Sequence, residues 1–220
     1  MNKATTLTLL ATALAAVAGC FNEPEPASKT VPAENRVYLK DMGLKDLGSV
    51  AELKSGEGAP RLAAPSGGLS AGGYASPIDY LNLDRNALTN VAPVASLANL
   101  KWLRLNDNQL AALPDLKALS KLRRIYLKNN KFAAVPETLK DLPSLTDVDL
   151  SGNPIKEVPQ WLAEKRGLKN LSFSRTQLVK LPDDLSAWRS LQSLQLGDLA
   201  IPAAEMARIR AALPATAIVF

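Results

Sequence analysis

The sequence predicts an α/β solenoid, a stack of short coils with a parallel sheet on the concave side and short helical or 3-10 turns on the convex side. Three observations carry that prediction. An apolar frame recurs every 22 or 23 residues, an asparagine recurs at one fixed place inside it, and a proline opens most of the stretches joining one frame to the next. A unit this short cannot bury its own apolar side and has to stack on its neighbours.

The elements follow in chain order. Met1-Asn2-Lys3 is a short basic start, Ala4 to Ala18 is apolar, and Val17-Ala18-Gly19-Cys20 closes the run with small residues. Residues 1–19 therefore read as a secretory signal peptide. Fifteen helical residues rise about 22 Å, short of the roughly 30 Å of bilayer hydrocarbon, so a permanent span is not expected. Val17 to Cys20 also resemble the lipobox of bacterial lipoproteins, which implies cleavage before Cys20 and a lipid on that cysteine. The alternative is a plain secretory signal with an incidental cysteine; that Cys20 is the sole cysteine and ends the apolar run favours lipidation. The next residue is Phe21 rather than Asp, which by resemblance to enteric lipoproteins points to the outer membrane of a bacterial cell envelope. Residues 20–33, with three prolines in "NEPEPASKTVPA", read as the lipidated cysteine and its tether.

Residues 34–54 fit a degenerate N-terminal copy or cap through Val37, Leu39, Leu44 and Leu47, with Met42 at the key position 44 residues before Asn86. Residues 55–77, rich in Gly, Pro, Ala and Ser, read as a mobile insertion. The "GGLSAGG" within it lacks the Lys-Ser/Thr pair of a phosphate loop.

Residues 78–204 carry the frame. It runs Ile78, Leu81, Leu83, Asn86, Leu88, Val91, then Leu100, Leu103, Leu105, Asn108, Leu110, Leu113, and repeats around Asn130, Asn153, Thr176 and Leu199. Steps between key positions are 22, 22, 23, 23 and 23 residues. The pattern LxxLxLxxNxL resembles the leucine-rich repeat family, which implies a parallel sheet lining the concave side and protein or peptide recognition there, sometimes glycan binding. The asparagine has its own physical reason. The chain turns inward after each strand, and a buried unpaired backbone group costs about 1 to 3 kcal/mol. A side-chain amide can donate and accept at once, so Asn86, Asn108, Asn130 and Asn153 are expected to form a ladder. Thr176 and Leu199 weaken it, and Asn129 is read as an exposed bystander whose loss is nearly silent.

The returns beginning Leu113-Pro114, Val135-Pro136, Val158-Pro159 and Leu181-Pro182 are expected to form helical or 3-10 turns, since proline suits a first helical turn. The earlier return, "TNVAPVASLANL", places its proline differently and should take another path. Residues 205–220 read as a C-terminal cap, with helical spacing over Ala203 to Ala212 and a closing extended segment, "ATAIVF".

Side chains alternating with the framework leucines face the concave side. The large ones gather in the early copies: Tyr80, Trp102 and Tyr126 as anchors, Arg104, Arg124 and Lys128 as cations, with Asp147 and Asp149 following. These eight are the candidate partner-binding residues, since Tyr, Trp and Arg dominate binding hot spots. The competing reading is that aromatic residues simply suit strands, while Arg104 with Asp84 and Arg124 with Asp147 neutralise one another at little net gain.

Composition narrows the chemistry. The chain has no histidine, which removes the commonest general base and metal ligand, and no cofactor, zinc site or histidine triad is expected. Asp147 and Asp149 could in principle work as an acid–base pair, but Arg124 should hold Asp147 ionised and no burial is expected to raise either carboxyl, so catalysis is not expected. Ser151, Ser172 and Ser174 have no base to activate them. Removing residues 1–19 deletes only Lys3, leaving a net charge of +4, too mild to imply nucleic acid. The expected protein is a monomer, anchored to membrane by lipid, that recognises a protein or peptide; an envelope lipoprotein with no defined ligand is the runner-up and a hydrolase the third reading.

Overall fold

A computed structural model describes residues 36–47 and 78–220; the expected signal peptide, Cys20, the tether and the 55–77 insertion lie outside those residues. Eight strands of three residues each form one parallel sheet in chain order. They are β1 (Arg36–Tyr38), β2 (Tyr80–Asn82), β3 (Trp102–Arg104), β4 (Arg124–Tyr126), β5 (Asp147–Asp149), β6 (Asn170–Ser172), β7 (Ser193–Gln195) and β8 (Ala217–Val219). The register is constant: Val37, Leu81, Leu103, Ile125, Val148, Leu171, Leu194 and Ile218 stand side by side at the strand centres. The architecture is a leucine-rich repeat solenoid. Since all strands run the same way, every one begins on one flank of the solenoid and ends on the other.

The strand centres point inward and meet a second row, Leu83, Leu105, Leu127, Leu150, Phe173 and Leu196, and a third, Leu88, Leu110, Phe132, Ile155, Leu178 and Ile201. Every member of the last two rows is at most 6% exposed, and full burial of one such side chain stabilises by about 1.5 to 3 kcal/mol. The returns add core residues outside the frame, such as Leu116, Leu139 and Leu162. Trp188 is wholly buried in the return before β7 and its Nε1 donates to the Leu162 carbonyl at 2.8 Å.

The four asparagines make a run of rungs between coils. Asn130 Nδ2 donates to the carbonyls of Leu105 and Leu127 at 2.9 Å, and its Oδ1 accepts from the Leu110 amide at 3.0 Å. Asn108 does the same with Leu83, Leu105 and Leu88, and Asn153 with Leu127, Leu150 and Phe132. Asn86 ties in the N-terminal coil by donating to Leu39 and accepting from the amides of Met42 and Leu44. Thr176, at the same place in the fifth copy, reaches only the Phe173 carbonyl of its own coil.

Asn129 is not a bystander. The residue before each key position takes a left-handed conformation, from Asp41 (φ 60°) through Arg85, Asp107, Asn129, Gly152 and Arg175 to Asp198 (φ 61°). Asn and Asp tolerate that region better than most side chains. Asn129 Nδ2 also donates to Asp107 Oδ1 at 2.6 Å, and its side-chain oxygen packs where a methyl group on Gly152 would collide. A second seam thus runs alongside the asparagine ladder.

The returns vary. Ala92–Ser96, Glu137–Leu139 and Ser186–Ser190 are 3-10 turns, and α1 (Gln160–Ala163) is a single helical turn. The Leu113 return was expected to be helical and is not. It makes two successive turns, Leu119 amide to Leu116 carbonyl and Leu122 amide to Leu119 carbonyl. Asp115 Oδ1 takes the Lys117 amide at 2.9 Å, a local bond that competes with helix formation. At the C-terminus α2 (Ala203–Ala212) closes the stack before β8. Arg208 fixes it there by donating to Glu205 and to the carbonyls of Leu181, Pro182 and Asp183, while Glu205 Oε1 accepts the Leu181 amide.

Candidate functional site

The outer face of the sheet presents two side chains from each strand. One row reads Tyr80, Trp102, Arg124, Asp147, Asn170, Ser193 and the other Tyr38, Asn82, Arg104, Tyr126, Asp149, Ser172, Gln195. Parallel strands repeat about every 4.8 Å, so side chains of neighbouring coils stand in contact. In the first row the contacts form a chain, which Tyr38 of the second row joins at the N-terminal end. Tyr38 and Tyr80 rings lie 5.3 Å apart, Tyr80 and Trp102 rings 5.9 Å, and the Arg124 guanidinium stacks 4.1 Å over Trp102. Arg124 Nε is 3.7 Å from Asp147, whose other oxygen accepts Asn170 Nδ2 at 2.6 Å. Tyr38, at the open end of the series, is 41% exposed.

In the second row Arg104 binds Asp84 at 2.7 Å and covers the Tyr126 ring at 5.4 Å. Burial opposes the charge of Arg104, and the Asp84 carboxylate more than offsets it, raising the guanidinium pKa. Asp84 also accepts the Asn106 amide at 2.8 Å, and Asn106 accepts the Lys128 amide at 3.0 Å, so the residues two past the strand ends are tied from coil to coil.

Two expectations need correction. Tyr80 and Tyr126 are not exposed anchors: they are 1% and 4% exposed, each packed between side chains of adjacent coils. Burial pushes the Tyr126 phenol up to about 12 although Arg124 pulls it down. Trp102 is half-buried, as are Arg104, Arg124 and Lys128. The carboxylates also differ from expectation. Asp149 is only 2% exposed, and its burial raises the carboxyl despite hydrogen bonds from Ser151, including the amide at 2.9 Å. Crowding between coils supplies the desolvation that an open sheet was not expected to provide. Asp147 is likewise buried, within its contacts to Arg124 and Asn170.

Two further residues take part. Asp84, just past the end of β2, holds Arg104 as the sequence pairing of the two anticipates, although it is not among the eight candidate residues. Asn170 ends the first row's chain, and among the described residues its own buried Oδ1 has no hydrogen-bond donor. Nothing in the sequence distinguishes that amide from the serines around it.

Comparison with known proteins agrees with this geometry. Residues 98–155 match the family model described as leucine rich repeat. A leucine-rich repeat protein of Leptospira interrogans is similar in structure, with a TM-score of 0.56, 26% identity, and coverage of 65% of this chain and 43% of that one. An internalin of Listeria monocytogenes gives 0.57 with 22% identity over 64% and 41%, and the leucine-rich repeat domain of APL1B gives 0.53 with 22% over 65% and 42%. The aligned region spans less than half the length of each of these solved chains. No curated protein gives a significant match.

Proposed function

We propose that this solenoid is a lipid-anchored binding module of a bacterial envelope that recognises a protein or peptide through the concave face. The observation carrying the reading is the chain Tyr38–Tyr80–Trp102–Arg124–Asp147–Asn170. It ends at Asn170, whose Oδ1 accepts no hydrogen bond from the described residues, which leaves one amide acceptor unused beside the face that Trp102 and Arg124 share. Trp102 and Arg124 offer partly open, rigid contact surface beside it. The anchor is Cys20, the only cysteine, at the end of the apolar run. Asp149, although raised, stands as a buried hydrogen-bonded group rather than as a base, so the reading is non-enzymatic.

A second reading, an envelope spacer with no ligand, is favoured by the internal pairing of Arg104 with Asp84 and Arg124 with Asp147. Affinity capture with mass spectrometry separates the two. The wild type should retain a defined protein, peptide or glycan that Trp102→Ala and Asn170→Ala both lose while their urea midpoints stay near wild type. Identical capture profiles would favour the spacer. Labelled palmitate should enter the wild type and not Cys20→Ser.

A further inference from the structure

The net charge of the chain is modest, but the fold gathers it. The residue just before each of β3, β4, β5, β6 and β7 forms a line along the flank where the strands begin. Successive members are joined by backbone bonds of 2.7 to 2.8 Å: Lys101 to Asp79, Arg123 to Lys101, Thr146 to Arg123, Lys169 to Thr146 and Gln192 to Lys169. Lys121, beside this line, reaches Asn99 of the previous coil. Arg166 and Arg189 sit three residues ahead of Lys169 and Gln192 and share one shallow depression. Of these six cations, five are exposed, and Lys101 alone is tied to an acid of the line, Asp79, at 3.1 Å. On the convex side Asp141 is held 3.6 Å from Lys117, and Asp184 lies near Arg189. The described residues hold 22 basic and 16 acidic side chains, and the six cations less Asp79 supply five of that excess of six.

The same flank receives the chain. Arg36 opens β1, and because the sheet is parallel the start of β1 lies in line with Asp79, Lys101 and Arg123. Fifteen residues separate Cys20 from Arg36, a reach of at most about 55 Å. We infer that this flank rests on anionic lipid headgroups, which stands the strands on end above the bilayer and leaves the concave face open sideways to a partner. The inference deepens the lipid-anchored reading and rests on it. Its chemistry is charge complementarity with a planar anionic surface, where each basic side chain near the surface contributes severalfold in affinity and salt screens the attraction.

The test uses the full chain carrying Cys20→Ser, so that lipidation is absent from the measurement. Co-sedimentation is compared on vesicles of phosphatidylcholine alone and of phosphatidylcholine with phosphatidylglycerol; charge-independent insertion of the apolar N-terminus contributes equally to both. Binding should favour the anionic vesicles and fade with added salt. The triple variant Arg123→Gln, Arg166→Gln, Lys169→Gln should lose about a hundredfold of that preference. A control triple on the opposite flank, Lys131→Gln, Lys156→Gln, Lys180→Gln, should keep it. Equal losses in both triples, no preference for anionic vesicles, or tighter binding to heparin than to the vesicles would overturn the inference. Failure of palmitate labelling would sink the anchor reading and leave this result standing.

Discussion

At the residue scale, the fold turns on two adjacent positions in each coil, one an amide rung and one a left-handed turn. Asn130→Ala removes donors to Leu105 and Leu127 and an acceptor for Leu110, and should cost about 3 kcal/mol by urea denaturation. Asn129→Ala should cost about 1 kcal/mol, from the left-handed backbone and the lost bond to Asp107. Gly152→Ala alone meets the Asn129 side chain, so combined with Asn129→Ala it should cost clearly less than the two single losses together. Arg175 bears the left-handed turn without an Asn, Asp or Gly side chain, and Arg175→Asn should stabilise by roughly 0.5 to 1 kcal/mol in the same assay. The rung was legible because a polar residue in an apolar frame needs a reason. The turn beside it was not read, because Arg85 and Arg175 break the series Asp41, Asp107, Asn129, Gly152, Asp198 that would have marked it. Asp149 was misread because the sheet face was treated as open. Its raised carboxyl means the native state binds its proton more tightly than the unfolded chain does, so stability falls as pH rises above the ordinary aspartate range. Asp149→Asn should accordingly raise the neutral-pH urea midpoint, with the gain vanishing in acid.

At the element scale, strands follow from the period of alternation and were readable from the frame, whereas the returns were readable only as proline-led. Proline sets the first residue of a turn and leaves the rest to side-chain bonds such as Asp115 with Lys117, which sequence spacing does not reveal. The same holds for α2. Its spacing was visible, but its apolar face is small, and it is held instead by Arg208 and Glu205 on the backbone of residues 181–183. The hydrogen bonds from Arg208 lower the Glu205 carboxyl first among several causes. A lowered folded pKa gives stability that is complete above the unfolded carboxylate range and is lost as pH falls through the folded value. Urea midpoints between neutral and acid pH should therefore fall less for Glu205→Gln than for the wild type, from a lower starting point.

At the scale of the whole molecule, repetition made the stack and the direction of its strands legible, and with them the two rows of the concave face. Crowding was not legible, since it depends on how side chains from successive coils fill the space between them: Tyr80 and Tyr126 are packed away while Tyr38, on the first strand of the sheet, remains open. The gathering of charge on one flank was hidden for a related reason, because Arg123, Arg166 and Lys169 are interspersed in the chain with cations of other faces, such as Arg124, Lys128 and Arg175, and fall into line only once the coils are superposed. The insertion before β2 has a kinetic consequence. Tyr38 and Tyr80 are separated by 41 residues where the later strands are separated by about half as many, and each doubling of a closed loop costs roughly 0.6 kcal/mol of entropy. The first coil in the chain is thus the last to join during refolding, and Asn86 is the latch that records its arrival.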